Sequence, residues 1–88
     1  MADIILNSTE TTGEDIRIGS TDGGWWQCEV AGYVAQVSIQ LKYINSTEYI
    51  EVFGFEDNGA KTFLAAAGRV YRAKSGTAGA TVWLEKIE

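Results

Sequence analysis

The chain contains no histidine and no proline, a single cysteine, and 7 basic residues against 12 acidic ones. Each shortage removes a class of function. Without histidine there is no imidazole to ligate a metal or act as a base near neutral pH. One cysteine, Cys28, cannot close a bridge within the chain, and a free thiol fits synthesis in a reducing cytosol. A net charge of −5 goes with a lack of the clustered Lys and Arg that phosphate binding needs, so no nucleic acid is expected as a partner. No apolar run approaches the ~18 residues of a membrane helix, and no charged-then-apolar leader opens the sequence. Neither a membrane nor secretion is therefore expected. Without secretion, the glycosylation patterns Asn7-Ser8-Thr9 and Asn45-Ser46-Thr47 read as accidental.

What is present is β-sheet chemistry. Thr, Val, Ile, Tyr, Phe and Trp recur, and they suit a pleated, half-buried surface. No window sustains helical periodicity. With proline absent, Gly, Asn and Asp supply the turns. Strands are expected at 3–6, 14–18, 25–31, 35–43, 48–56, 61–64, 69–74 and 80–87. In 35–43, Val37, Ile39, Leu41 and Tyr43 share one face. Asp57-Asn58-Gly59 reads as a hairpin turn, because Asn-Gly accepts positive φ. Ala65-Ala66-Ala67-Gly68 reads as a bend. Seven to eight mainly antiparallel strands, with turns about every ten residues, predict one all-β domain over residues 1–88, a small β-sandwich of jelly-roll type.

Several strands are apolar on both faces. In Tyr49–Phe55, Tyr49, Phe53 and Phe55 are expected on one side and Ile50 and Val52 on the other. In the last strand Val82 and Leu84 oppose Trp83. A sheet wetted on one side alternates apolar-in with polar-out. A chain of 88 residues has little material to cover two faces, so a second chain is the expected cover. Trp25 and Trp26 are adjacent, and adjacent strand residues point to opposite faces. Trp26 is assigned to the core with Cys28 and Val30, which leaves Trp25 to solvent, a sugar or a partner.

Residues 1–35 hold six acids (Asp3, Glu10, Glu14, Asp15, Asp22, Glu29) against one base, Arg17. Arg69 and Arg72 are candidates for docking on an acidic neighbour, such as the acidic half of a second copy. No catalytic constellation is evident. Cys28 has no base to activate it, and the Glu56-Asp57 pair reads as turn chemistry. Glu56–Gly59 lacks the alternating ligands and terminal glutamate of a calcium loop. No enzyme activity, cofactor or metal is expected.

Three segments carry a resemblance. Ile5-Leu6-Asn7-Ser8-Thr9-Glu10-Thr11-Thr12-Gly13-Glu14 looks like the first strand and Ala/Thr/Gly loop of small bacteriophage structural proteins. Residues 62–82 are similar to their ending: a strand, a Gly bend, an Arg-aromatic-Arg strand at Arg69–Arg72, a Ser-Gly turn at Ser75-Gly76 and a Thr-Val strand. Val37–Tyr43 resembles their central strand. The phrase that follows it is shortened here to Asn45–Tyr49, with Tyr49 where they carry Trp. The resemblance implies a compact β-sandwich acting without catalysis as a capsid decoration (cement) protein, head fibre, or tail or neck component, made in the host cytoplasm. It supplies no catalytic residues.

The resulting expectation is a decoration protein on the capsid exterior. Its partners would be itself, as a homo-oligomer such as a trimer, and the major capsid protein. Interface candidates are Trp25, Phe53, Trp83, Arg69 and Arg72. Residues 1–13 form a candidate arm or edge, with Ile4, Ile5, Leu6 and Asn7 meeting the shell. A carbohydrate-binding module using exposed Trp and Tyr is the alternative from another class.

Overall fold

The computed structural model describes residues 3–87. The described chain is all β: β1 Asp3–Leu6, β2 Ile16–Arg17, β3 Gly24–Ala31, β4 Val37–Lys42, β5 Tyr49–Phe55, β6 Gly59–Ala65, β7 Val70–Ser75 and β8 Thr81–Lys86. Two four-stranded antiparallel sheets pack face to face. The first has order β1-β8-β3-β6 and the second β2-β7-β4-β5.

The order has a simple origin. The first strand pairs with the last, β2 with β7, β3 with β6 and β4 with β5. The chain is thus one long hairpin, turned between β4 and β5 and rolled so that β3 also meets β8 and β4 meets β7. That arrangement is a jelly roll. Antiparallel pairing gathers 18–23, 43–48 and 66–69 at one end, where the Gly68 N–H donates to the Ile18 carbonyl at 2.7 Å and an Arg69 guanidinium N–H to the Lys42 carbonyl at 3.1 Å. Loops 7–15, 32–36, 56–58 and 76–80 gather at the other, where the Tyr33 N–H donates to Asn58 Oδ1 and the Gly76 N–H to the Gln36 carbonyl.

The core lies between the sheets, and alternation decides its members. Cys28 and Val30 enter from β3, Val82 and Leu84 from β8, Val37 and Ile39 from β4, and Tyr71 and Ala73 from β7. Ile18 is buried and Ile16 packs against the core, both inward as their spacing predicts. Phe53, Phe55, Phe63 and Tyr71 form a chain of ring contacts, with centroids 5.1–5.9 Å apart. The alanine run bends as expected, with Gly68 at φ 78°, a left-handed value that suits glycine.

Three expectations need correction. Asp57-Asn58-Gly59 does not close a hairpin: β5 and β6 lie in different sheets, so the turn crosses the sandwich. Tyr43 leaves the Val37 face because β4 ends at Lys42, and its ring is exposed. In β5, Ile39 pairs with Phe53 but Gln40 pairs with Glu51, so Val52 is a bulge. The bulge resets the alternation: Phe53 and Phe55 face inward, Tyr49 outward.

Candidate interaction surfaces

The outer face of the first sheet carries the largest apolar row. Trp25 of β3 sits directly opposite Leu64 of β6. On its other side, the Ile87 N–H donates to the Trp25 carbonyl at 2.8 Å and continues the β3–β8 register. Directly opposed residues share a face, so Ile87, Trp25 and Leu64 form one cross-strand row. All three are open to solvent, at 49%, 48% and 66% exposure. A second row holds Ile4, Trp83, Glu29 and Ala60. Gln27 donates to Glu29 between the rows. Glu85, Gln27 and Thr62 make a polar row between the two, so the face is an apolar strip at the Trp25 end separated by polar side chains from a mixed row around Trp83.

The two lateral edges differ. On one, the 7–15 loop covers β7: the Gly13 N–H donates to the Ala73 carbonyl, the Ser75 N–H to the Thr11 carbonyl, and Thr12 bridges Lys74. On the other, β5 and β6 are each seven residues long and each the last strand of its sheet. Unpaired backbone N–H and C=O groups on such strands can accept a further strand. One device restricts this edge: Lys61, on the inward side of β6, donates to the Gly54 carbonyl of β5 at 2.6 Å and lies 5.2 Å from the Phe55 ring centroid. An inward lysine discourages pairing there. Thr62–Ala65, beside the Trp25 row, is free of it.

The outer face of the second sheet is cationic and ordered. The Arg72 guanidinium stacks 3.5 Å from the Tyr49 ring centroid and donates to Gln40 at 2.7 Å. The Tyr49 hydroxyl donates to Asp15 at 2.6 Å, and that bond, with lesser help from burial and the Asp15 charge, raises the phenol above its ordinary pKa; Arg72 pulls it back. At the end of this sheet Arg17, Lys42 and Arg69 line a depression of about 190 Å³ beside Tyr43, Ile44, Gly68 and Val70.

No family model, curated protein or solved structure matches this chain.

The structure distributes the candidate residues unevenly. Trp25 and Trp83 lie on the outer face of the first sheet, Trp25 the more open. Phe53 faces the interior among Phe55 and Phe63, a consequence of the bulge, and is half-buried at the edge of the core. Arg72 belongs to the ordered outer network, whereas Arg69 precedes β7 and lines the end depression. Of the expected arm or edge, the structure has an edge strand, and two of its candidate contact residues need correction. Ile5 and Leu6 are 3% and 0% exposed, because β1 pairs with β8 and a register shift between Ile4 and Leu6 turns both inward. Ile4 is 59% exposed, and Asn7 is an exposed turn residue whose side chain accepts from Thr9. Residues 1 and 2 of the expected arm lie outside the described residues.

Leu64, Ile87 and Ile44 were not singled out from sequence. Each is an ordinary apolar residue near a strand end, and only cross-strand register sets the first two beside Trp25. Cys28 is fully buried, and burial, aided by the Glu29 charge, pushes its thiol up to about 12. Among the described residues no group of three His, Cys, Asp or Glu side chains is placed to hold a metal ion.

Proposed function

We propose that this chain is a non-enzymatic building block of a protein shell, most specifically a capsid decoration protein that self-associates and binds the outside of a bacteriophage head. The observation that carries this reading is the row Ile87–Trp25–Leu64 lying beside the unpaired edge of β6. An apolar row next to open backbone groups suits a protein partner, because a neighbouring strand satisfies the edge while the row is buried. The strand-and-turn resemblance to phage structural proteins supports the finer identification, and the jelly roll is an architecture of viral coat domains. A decoration protein that binds only the assembled shell stabilises it by mass action. In this reading the first sheet's outer face meets the major capsid protein, with Trp25 as the central anchor and Trp83 at the rim.

The test is to infect with phage whose genome encodes a tagged copy, purify the particles and locate the tag by electron microscopy. Head labelling is expected; tail labelling would move the chain to a tail or neck role, and unlabelled particles would overturn the reading. Trp25→Ala is expected to weaken binding to heads by about 2 kcal/mol, roughly thirtyfold, with the fold intact by circular dichroism. The jelly roll also serves lectins. A glycan-array signal abolished by Trp25→Ala, without head binding, would replace the shell reading by the carbohydrate one.

A further inference from the structure

The two ends of the molecule differ in shape and in charge. At the β4–β5 end the chain turns through 43–48, and Ile44 stands out at the tip with 75% of its surface exposed. Tyr43 beside it is also exposed. Around that tip lie Arg17, Lys42 and Arg69, with the Glu48 carboxylate lining the adjoining depression beside Arg69. Arg17 donates to the Gly68 carbonyl at 2.8 Å and Arg69 to the Lys42 carbonyl at 3.1 Å, which fixes both guanidinium groups while leaving most of their N–H donors unused. Among the described residues no carboxylate lies within ion-pair distance of these three cations. In a chain of net charge −5, the tip nonetheless carries an excess of cations, three against the one carboxylate of Glu48, and none of the three is in an ion pair among the described residues.

The counterpart is on the β1–β2 side of the sandwich. A groove of about 340 Å³ runs between β1 and the 7–16 segment toward the opposite end. Ile4 and Ile16 line it as apolar surface, and Glu10 and Glu14 line it as charge. Neither glutamate is in an ion pair among the described residues; Glu10 accepts only the nearby Asn7 N–H at 3.1 Å. The volume equals roughly eleven waters at about 30 Å³ each. That accommodates a branched aliphatic side chain and falls near the lower bound for a drug-sized ligand.

We infer that the Ile44 tip of one copy seats in the Ile4–Ile16 groove of a second copy, with Arg17, Lys42 and Arg69 facing Glu10 and Glu14. The occupant is identified as this same chain by complementarity of two kinds: an exposed apolar side chain for an apolar groove, and a tip with an excess of cations for a groove lined by two unpaired carboxylates, the two lying at different places on the molecule so that copies join head to tail. This contact deepens the assembly reading and rests on it for the premise that copies meet. The contact is heterologous, so it closes into a ring or continues as a filament. A ring matches the small oligomer expected of a decoration protein.

The experiment uses the full chain in analytical ultracentrifugation at low and high salt. Wild type is expected to associate at low salt and to weaken several-fold as salt screens the charges. Ile44→Asp disables the tip and keeps the groove; Glu14→Arg disables the groove and keeps the tip. Each alone is expected to lose association at least tenfold while keeping the wild-type circular dichroism spectrum, since both positions are exposed. Mixed one to one, they are expected to form a dimer and nothing larger, because only one working contact remains per pair. Variants that associate like wild type, or a mixture that stays monomeric, would overturn this contact while leaving the assembly reading in place. A wild type that stays monomeric across the accessible concentration range, alone and with heads, would overturn both. A glutamine variant tests the charged pairing itself: Glu14→Gln is expected to weaken association, and Glu14→Gln losing nothing, with salt without effect, would overturn the charged pairing.

Discussion

Cys28 lies in the core beside Val30, with no exposed surface. Its thiol ionises in the unfolded chain near pH 9 and in the folded chain only toward 12. A group whose pKa rises on folding contributes stability that is whole below the unfolded value. That contribution is lost as pH climbs toward the folded one, because the unfolded chain releases its proton first. Thermal melts are therefore expected to show wild type losing stability more steeply than Cys28→Val between about pH 9 and 12. The native thiol should also resist aromatic disulfide reagents until denaturant is added. The tryptophan doublet was legible in the sequence, since period-two alternation requires Trp25 and Trp26 to part. Phe53 was not legible. Its direction depends on the Val52 bulge, and a bulge follows from how β5 fits β4, which no local pattern in 49–55 encodes.

At the level of elements, strand existence was readable and strand partnership was not. All eight expected strands occur, most within two or three residues of their expected bounds. The 57–59 turn has hairpin chemistry, yet it carries the chain from one sheet to the other, where β6 pairs with β3 and Asn58 accepts the Tyr33 N–H of a different loop. The N-terminal segment, expected as an arm or an edge, contains the edge strand β1 of the first sheet. Its long loop returns to lie along β7, and Gly13 makes that possible: a Cβ there would overlap the Ile5 carbonyl oxygen. That clash is with backbone, which cannot rotate away. Gly13→Ala is expected to cost about 1–3 kcal/mol, read as a lower urea midpoint with unchanged slope. Gly68 has open space around its missing side chain, so the equivalent substitution there meets only the strain of its positive φ and should cost less.

Considered as a whole, the molecule pairs its beginning with its end, and only β4 and β5 pair with a sequence neighbour. Loop closure must precede nearly every favourable contact, so folding is expected in milliseconds to seconds rather than microseconds, measured by stopped-flow tryptophan fluorescence. A refolding time in microseconds would mean a far more local structure. The sequence supports a sandwich, but strand order is a property of long-range pairing and had to be seen. The same holds for charge. The acidity of residues 1–35 was plain from the sequence, whereas the convergence of Arg17, Lys42 and Arg69 at one end needed three strands to be brought together.

The split doublet has a practical corollary. The chain carries indoles in contrasting settings: Trp26 packed on the core with its N–H held by the Asp22 carbonyl at 2.9 Å, and Trp25 open beside Leu64. Acrylamide should quench the open ring readily and the packed one poorly. With Trp83 replaced by Phe, emission splits into a built-in gauge of docking and a built-in gauge of internal order, readable in one cuvette without attaching any dye.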